Sequence, residues 1–134
     1  MRARTFFVIS IGLLLCAGCK TKSTDELIGE LKSGQGRERI TAVRLLPRRQ
    51  GDADKIVPAL IGSLKDKDPD VRWSAAIGLG YYKAEAKDAI PALQVAAHDR
   101  DARVREGAIK ALAKIDPSRF SPYVPTKKDL TKKK

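Results

Sequence analysis

Slid against itself by 33 residues, the chain matches itself. Residues 56–80 and 89–113 are identical at nine of 25 positions, where average amino-acid usage predicts roughly one or two. Those positions include Pro58/Pro91, Ala59/Ala92, Asp66/Asp99, Asp68/Asp101 and Val71/Val104. Residues 23–47 against 56–80 give eight more. Four positions agree in all three units: Leu27/Leu60/Leu93, Arg39/Arg72/Arg105, Ala42/Ala75/Ala108 and Leu46/Leu79/Leu112. A fixed period between about 20 and 50 residues marks stacked units, none of which can bury its apolar face alone. Three units are about the minimum for such a stack, and 134 residues is one domain's worth of chain.

Each unit reads as two helices. In the second, Ile56, Leu60, Ile61 and Leu64 fall at helical spacing, which predicts a first helix from about Asp54 to Lys65. Pro58 is expected in or near its first turn, where a proline costs least. Asp68-Pro69 reads as an N-cap with proline at the first helical position. Val71, Ala75 and Leu79 then recur every four residues. The third unit repeats this with Asp88 ahead of Ala89-Ile90-Pro91, and with Val104, Ala108 and Leu112 on its second helix. The first opens on Ser23-x-x-Glu26, a capping box, and its second helix is expected to stop near Leu46, before Pro47 and Gly51. No window alternates with period two, so no sheet is expected.

This pattern resembles the HEAT-like repeats of the short bacterial type, first noted in phycobilisome lyases. The resemblance covers 24–116. It rests on Ile56-Val57-Pro58-Ala59-Leu60 with Asp68-Pro69-Asp70-Val71-Arg72, and on Ala89-Ile90-Pro91-Ala92-Leu93 with Val104-Arg105. It implies an all-α fold, a short α-solenoid of about three helix pairs. It also implies a ladder between an Asp in the inter-helix turn and an Arg six residues later. Asp66 with Arg72 and Asp99 with Arg105 match, whereas the first unit has Ser33 with Arg39. That leaves the first rung incomplete and makes the first unit an N-terminal cap. The domain is expected over 24–122, with units at about 24–56, 57–89 and 90–122. Phe120, Tyr123 and Val124 would cap the third unit, ahead of a Lys-rich tail at 123–134.

The amino terminus carries a different signal. Arg2 and Arg4 precede an uncharged run, Phe6 to Leu15. A helix from Phe6 to Gly18 would reach about 20 Å, short of the roughly 30 Å hydrocarbon core. Residues 1–18 therefore read as an export signal. Ala17-Gly18 before Cys19 resembles the bacterial lipobox, with Cys16 where Leu is usual. The resemblance implies a diacylglycerol on Cys19 and a tether over 19–23. An ordinary secreted chain or an uncleaved anchor is the alternative. Several acyl chains suffice for stable anchoring. Localisation would be a bacterial cell envelope. The periplasmic face of the outer membrane is favoured by Lys20, by analogy with enterobacterial sorting, and the outer leaflet of the plasma membrane is the other choice.

Little catalytic chemistry is available. The chain has one His and two Cys, too few for a zinc cage. His98 falls in a turn and reads as a solvated residue. Asp66, Asp68 and Asp70 alternate like the start of a calcium loop, but the Gly and the distal Glu are missing. No enzyme activity, cofactor or metal is expected. The net charge of +11 sits mainly at the ends. Residues 24–116 hold 17 Lys and Arg against 15 Asp and Glu, so no nucleic-acid partner is expected. The tail carries Lys127, Lys128, Lys132, Lys133 and Lys134 against Asp129. It reads either as a solvated segment or as a contact for anionic lipid or cell-wall polymer.

The binding expectation comes from the second helices. With Val71 at 0° and 100° per residue, Ala75 and Leu79 define a core direction near 40°. Trp73 and Ile77 then lie nearly opposite. Their counterparts are Ile40 and Arg44 in the first unit, and Glu106 and Lys110 in the third. An exposed apolar patch with a charged rim marks an interaction site; the alternative is that Trp73 folds sideways onto a neighbouring helix or Tyr81. The expected function is a lipid-anchored adaptor for an unknown protein or peptide partner. The alternatives are an envelope-surface binder acting through its tail and an accessory subunit of an enzyme complex.

Overall fold

A computed structural model describes residues 21–120. Six helices form three antiparallel-type pairs: α1 (Thr24–Ser33) with α2 (Gly36–Leu45), α3 (Ala53–Ser63) with α4 (Pro69–Tyr82), and α5 (Ile90–Ala96) with α6 (Ala102–Ile115). A short helix, α7 (Pro117–Phe120), follows. There is no strand among the described residues. Each pair packs internally, α1 packs on α3, and the second helices α2, α4 and α6 pack side by side. The result is a short all-α solenoid. The 33-residue period can be cut at any phase. Its expected limit at 56/57 falls inside α3, whereas the pairs themselves are divided by the connectors 46–52 and 83–89.

Local chemistry starts the helices where the sequence predicts. The Ser23 hydroxyl accepts from the Glu26 amide at 3.1 Å, and the Ser23 amide donates to the Glu26 carboxylate at 2.6 Å. Asp68 caps α4 by accepting from the Asp70 amide at 2.9 Å, and Asp101 caps α6 through the Arg103 amide at 2.8 Å. Two details differ from expectation. Helix α3 begins at Ala53, one residue before the expected start, and Pro58 is its sixth residue, inside the helix and past its first turn, on the exposed side. Ahead of α5, Lys83–Ala89 forms a 3₁₀ stretch, so Asp88 does not cap α5, and Pro91 falls in the first turn of a helix of only seven residues.

The four positions shared by all units form the spine of the core. Leu27, Leu60 and Leu93 are fully buried, as are Ala42, Ala75 and Ala108. Leu46 and Leu79 are fully buried and Leu112 nearly so. Helix α4 is central and is buried on most of its circumference, including Ser74, Ala76, Gly78 and Gly80. Small residues let its neighbours approach. A Cβ on Gly80 would lie 3.2 Å from the Cα of Ala111 on α6, and one on Gly78 would lie 2.8 Å from Cγ of Pro47. Tyr82 is buried at the end of α4 and donates to the Leu46 carbonyl at 3.2 Å. Burial pushes its phenol pKa up. Phe120 packs partly buried against the core, while Tyr123 and Val124 lie outside the described residues.

Candidate functional site

The Asp and Arg residues picked out as a ladder are arranged differently from the expectation. Arg72 does not pair with the Asp66 carboxylate of its own unit. It forks onto Asp99 of the next, with Nε at 2.8 Å and Nη2 at 2.9 Å, and its Nη1 donates to the Asp66 carbonyl at 2.9 Å. Arg39 does the same one unit earlier, reaching Asp66 at 3.0 and 3.3 Å and the Gly34 carbonyl at 3.0 Å. Ser33 therefore leaves no rung broken, because the carboxylate for Arg39 comes from the second unit. Arg105 donates to the Asp99 and Arg100 carbonyls and has no described carboxylate beyond it. The reason is reach. From the start of its helix, each guanidinium closes its own turn through the backbone and extends its fork across the unit boundary. Asp66 and Asp99 each also accept from an amide two residues on. The fork from Arg72 holds the Asp99 carboxyl below the usual range, and the same contact raises the Arg72 guanidinium pKa.

These contacts also account for Asp66, Asp68 and Asp70, since Asp70 meets Arg103 at 2.9 Å. No cluster of three or more His, Cys, Asp or Glu with metal-binding geometry occurs among the described residues. His98 is exposed in the turn after α5. No described helix is long and apolar enough to cross a membrane.

The surface of the second helices carries a cleft of about 570 Å³ between α2 and α4. Val43, Pro47, Ser74 and Gly78 form its floor, with Arg44 and Arg48 on one wall and Trp73, Ile77 and Tyr81 on the other. Of the residues singled out in the sequence, Arg44, Trp73 and Ile77 line it; Ile40, Glu106 and Lys110 do not. Glu106 and Lys110 pair with each other at 2.6 Å on α6, both well exposed, which holds the Glu106 carboxyl below its ordinary pKa.

Trp73 and Ile40 are partly buried and packed against the core, and Ile77 is partly buried, so the patch is not a freely exposed knob. The cause is Gly107. A Cβ there would lie 3.2 Å from Cδ1 of Trp73 and 3.6 Å from Cδ1 of Ile77. The indole leans onto α6 at the one second-helix position where the other units carry Thr41 and Ser74. It serves packing on one side and lines the cleft on the other.

The surface runs one turn beyond the residues singled out in the sequence. Arg48, Tyr81 and Lys114 are related by the same shift of 33 and extend the surface. Tyr81 is 60% exposed, and Lys114 stands over its ring at 5.2 Å from the centroid. The repeat alignment contained that row, but Pro47 marked a helix end. In the structure, the 3₁₀ turn Leu46–Arg48 continues the line of α2 and keeps Arg48 on the cleft.

A search of curated proteins found no match to this chain. The profile of HEAT repeats matches at residues 24–86 and again at 70–124. Such repeats typically serve as non-catalytic scaffolds for protein interaction. Together the two matches cover most of the chain and the whole of its stacked helix pairs, and the chain belongs to the HEAT-repeat family.

Proposed function

We propose that this chain is a lipid-anchored adaptor of a bacterial cell envelope that holds a protein or peptide partner on the face formed by its second helices. The observation that carries the reading is the cleft between α2 and α4, in which an indole, an isoleucine and a tyrosine face two guanidinium groups. Aromatic residues and Arg are the side chains most often responsible for binding energy at interfaces. A photo-crosslinking residue at Tyr81 should form adducts with envelope proteins, while one at exposed Gln94 on α5 should not. Equal labelling at both positions, or none at Tyr81, would contradict the reading.

The anchor rests on Cys19, which lies outside the described residues, and is supported by the Ala17-Gly18-Cys19 pattern. Cys19→Ser should release the protein from the membrane fraction. A variant that keeps a cleaved signal yet stays in the pellet after a high-salt wash would exclude lipid as the anchor. Lys20 supports placement on the periplasmic face of the outer membrane over the outer leaflet of the plasma membrane, by analogy with enterobacterial sorting, and density-gradient separation of the two membranes tests it. The five tail lysines favour a second reading, contact with anionic lipid or cell-wall polymer. Deleting residues 127–134 separates the two: salt-sensitive envelope binding is lost under the second reading and kept under the first.

A further inference from the structure

The binding face has a charge pattern of its own. Aligned by the 33-residue shift, its last two rows read Arg44, Ile77, Lys110 and Arg48, Tyr81, Lys114. An apolar column on α4 is thus flanked by cations on both α2 and α6. Arg44, Arg48 and Lys114 form no ion pair among the described residues. The carboxylates of this face, Asp70 and Glu106, sit nearer the other end and are matched by Arg103 and Lys110. Basic residues in a last helical turn do complement the carbonyl end of their own helix. That accounts for single residues of α2 and α6, but the last turn of α4 has none, and the cations collect around it.

Accepting the second-helix face as the binding surface, we infer that its partner is an acidic amphipathic peptide segment: apolar side chains enter the α2/α4 cleft beside Trp73 and Ile77, and carboxylates meet Arg44 and Arg48 on one side and Lys114 on the other. The distance from Trp73 to Tyr81 along α4 is about 12 Å, the reach of two turns of helix or a few extended residues. A polyanion without apolar groups would satisfy the cations and leave the cleft empty, so a peptide fits more of the surface.

Peptide-display selection on the full 134-residue chain tests this. The enriched peptides should be net acidic and carry at least two apolar residues. A labelled peptide from that pool should lose affinity about tenfold or more on Arg44→Glu with Arg48→Glu, and should recover when its carboxylates are exchanged for lysine. Circular dichroism of the double variant, whose side chains are both exposed, checks that the fold is kept. Neutral or basic peptides that still lose binding on Tyr81→Ala would leave the face standing and overturn the acidic partner. Acidic peptides indifferent to both Tyr81→Ala and the double variant bind elsewhere and overturn the face itself. No enrichment, or displacement of the peptides by polyphosphate at equal charge, also overturns the inference.

Discussion

Asp99 shows how a single residue ties two units. Its carboxylate is mostly buried, takes the fork of an equally buried Arg72 and accepts the Asp101 amide. Asp99→Asn would keep an acceptor but leave Arg72 uncompensated, at a cost of about 3 kcal/mol. Asp70→Asn, in a half-exposed pair with Arg103, should change little. Because the Asp99 pKa is lowered in the folded state, its contribution is full above the unfolded value of about 3.9 and is lost as pH falls through the folded one. Urea unfolding between neutral pH and pH 3 should therefore show the gap between wild type and Asp99→Asn narrowing below about pH 4. A gap that stays constant would contradict the pairing. Lys83 shows the backbone at the same scale. It has φ 48° and ψ −127°, the conformation that a type II′ turn asks of its first central residue, where Gly is favoured. Lys83→Ala keeps the Cβ and should shift stability by less than about 0.5 kcal/mol, whereas Lys83→Gly should stabilise by about 1 kcal/mol. Leu79→Ala, in the spine, should cost about 2–5 kcal/mol. The spine residues were legible in the sequence because burial repeats with the period. The positive φ of Lys83 was not, because no glycine marks the turn.

At the scale of the element, the helices follow their caps and their apolar spacing, while their distances follow the glycines. Gly29 in α1 has open space where a Cβ would go, so Gly29→Ala should stabilise by about 0.5–1 kcal/mol through helix propensity. A Cβ on Gly78 in α4 would lie 2.8 Å from the Pro47 ring and 3.2 Å from Leu60, so Gly78→Ala should destabilise by about 1–3 kcal/mol. Thermal melts of the two variants should move in opposite directions; equal shifts would reject the packing of α4 against the 46–48 turn. Helix existence and order were readable from the period and from Ser23, Asp68 and Asp101. The shape of the connectors was less so. Pro58 and Pro91 occupy equivalent repeat positions, yet one lies inside a helix and the other in a first turn, because Lys83–Ala89 winds as 3₁₀ and shortens α5.

For the whole molecule, the main contacts between units join neighbours, and the interactions that cross those boundaries set the stack. Those are the Arg39–Asp66 and Arg72–Asp99 forks and the close packing of α4 on α6. Aligning the units finds equivalent residues, not the partners 27 positions away, which is why Ser33 gave the impression of a missing rung. The same limit applies to the binding face. The shift of 33 put Trp73 and Ile77 on the open side, but only the assembled stack shows the indole leaning on Gly107 and the cleft closed by Arg44 and Arg48. Trp73 is the chain's only tryptophan, so its fluorescence reports on that face alone. Titration with a tryptophan-free partner peptide should shift its emission to shorter wavelength and reduce quenching by acrylamide, because the exposed side of the indole becomes covered. Saturating binding that leaves both the emission and the quenching of Trp73 unchanged would place the partner elsewhere and contradict the account.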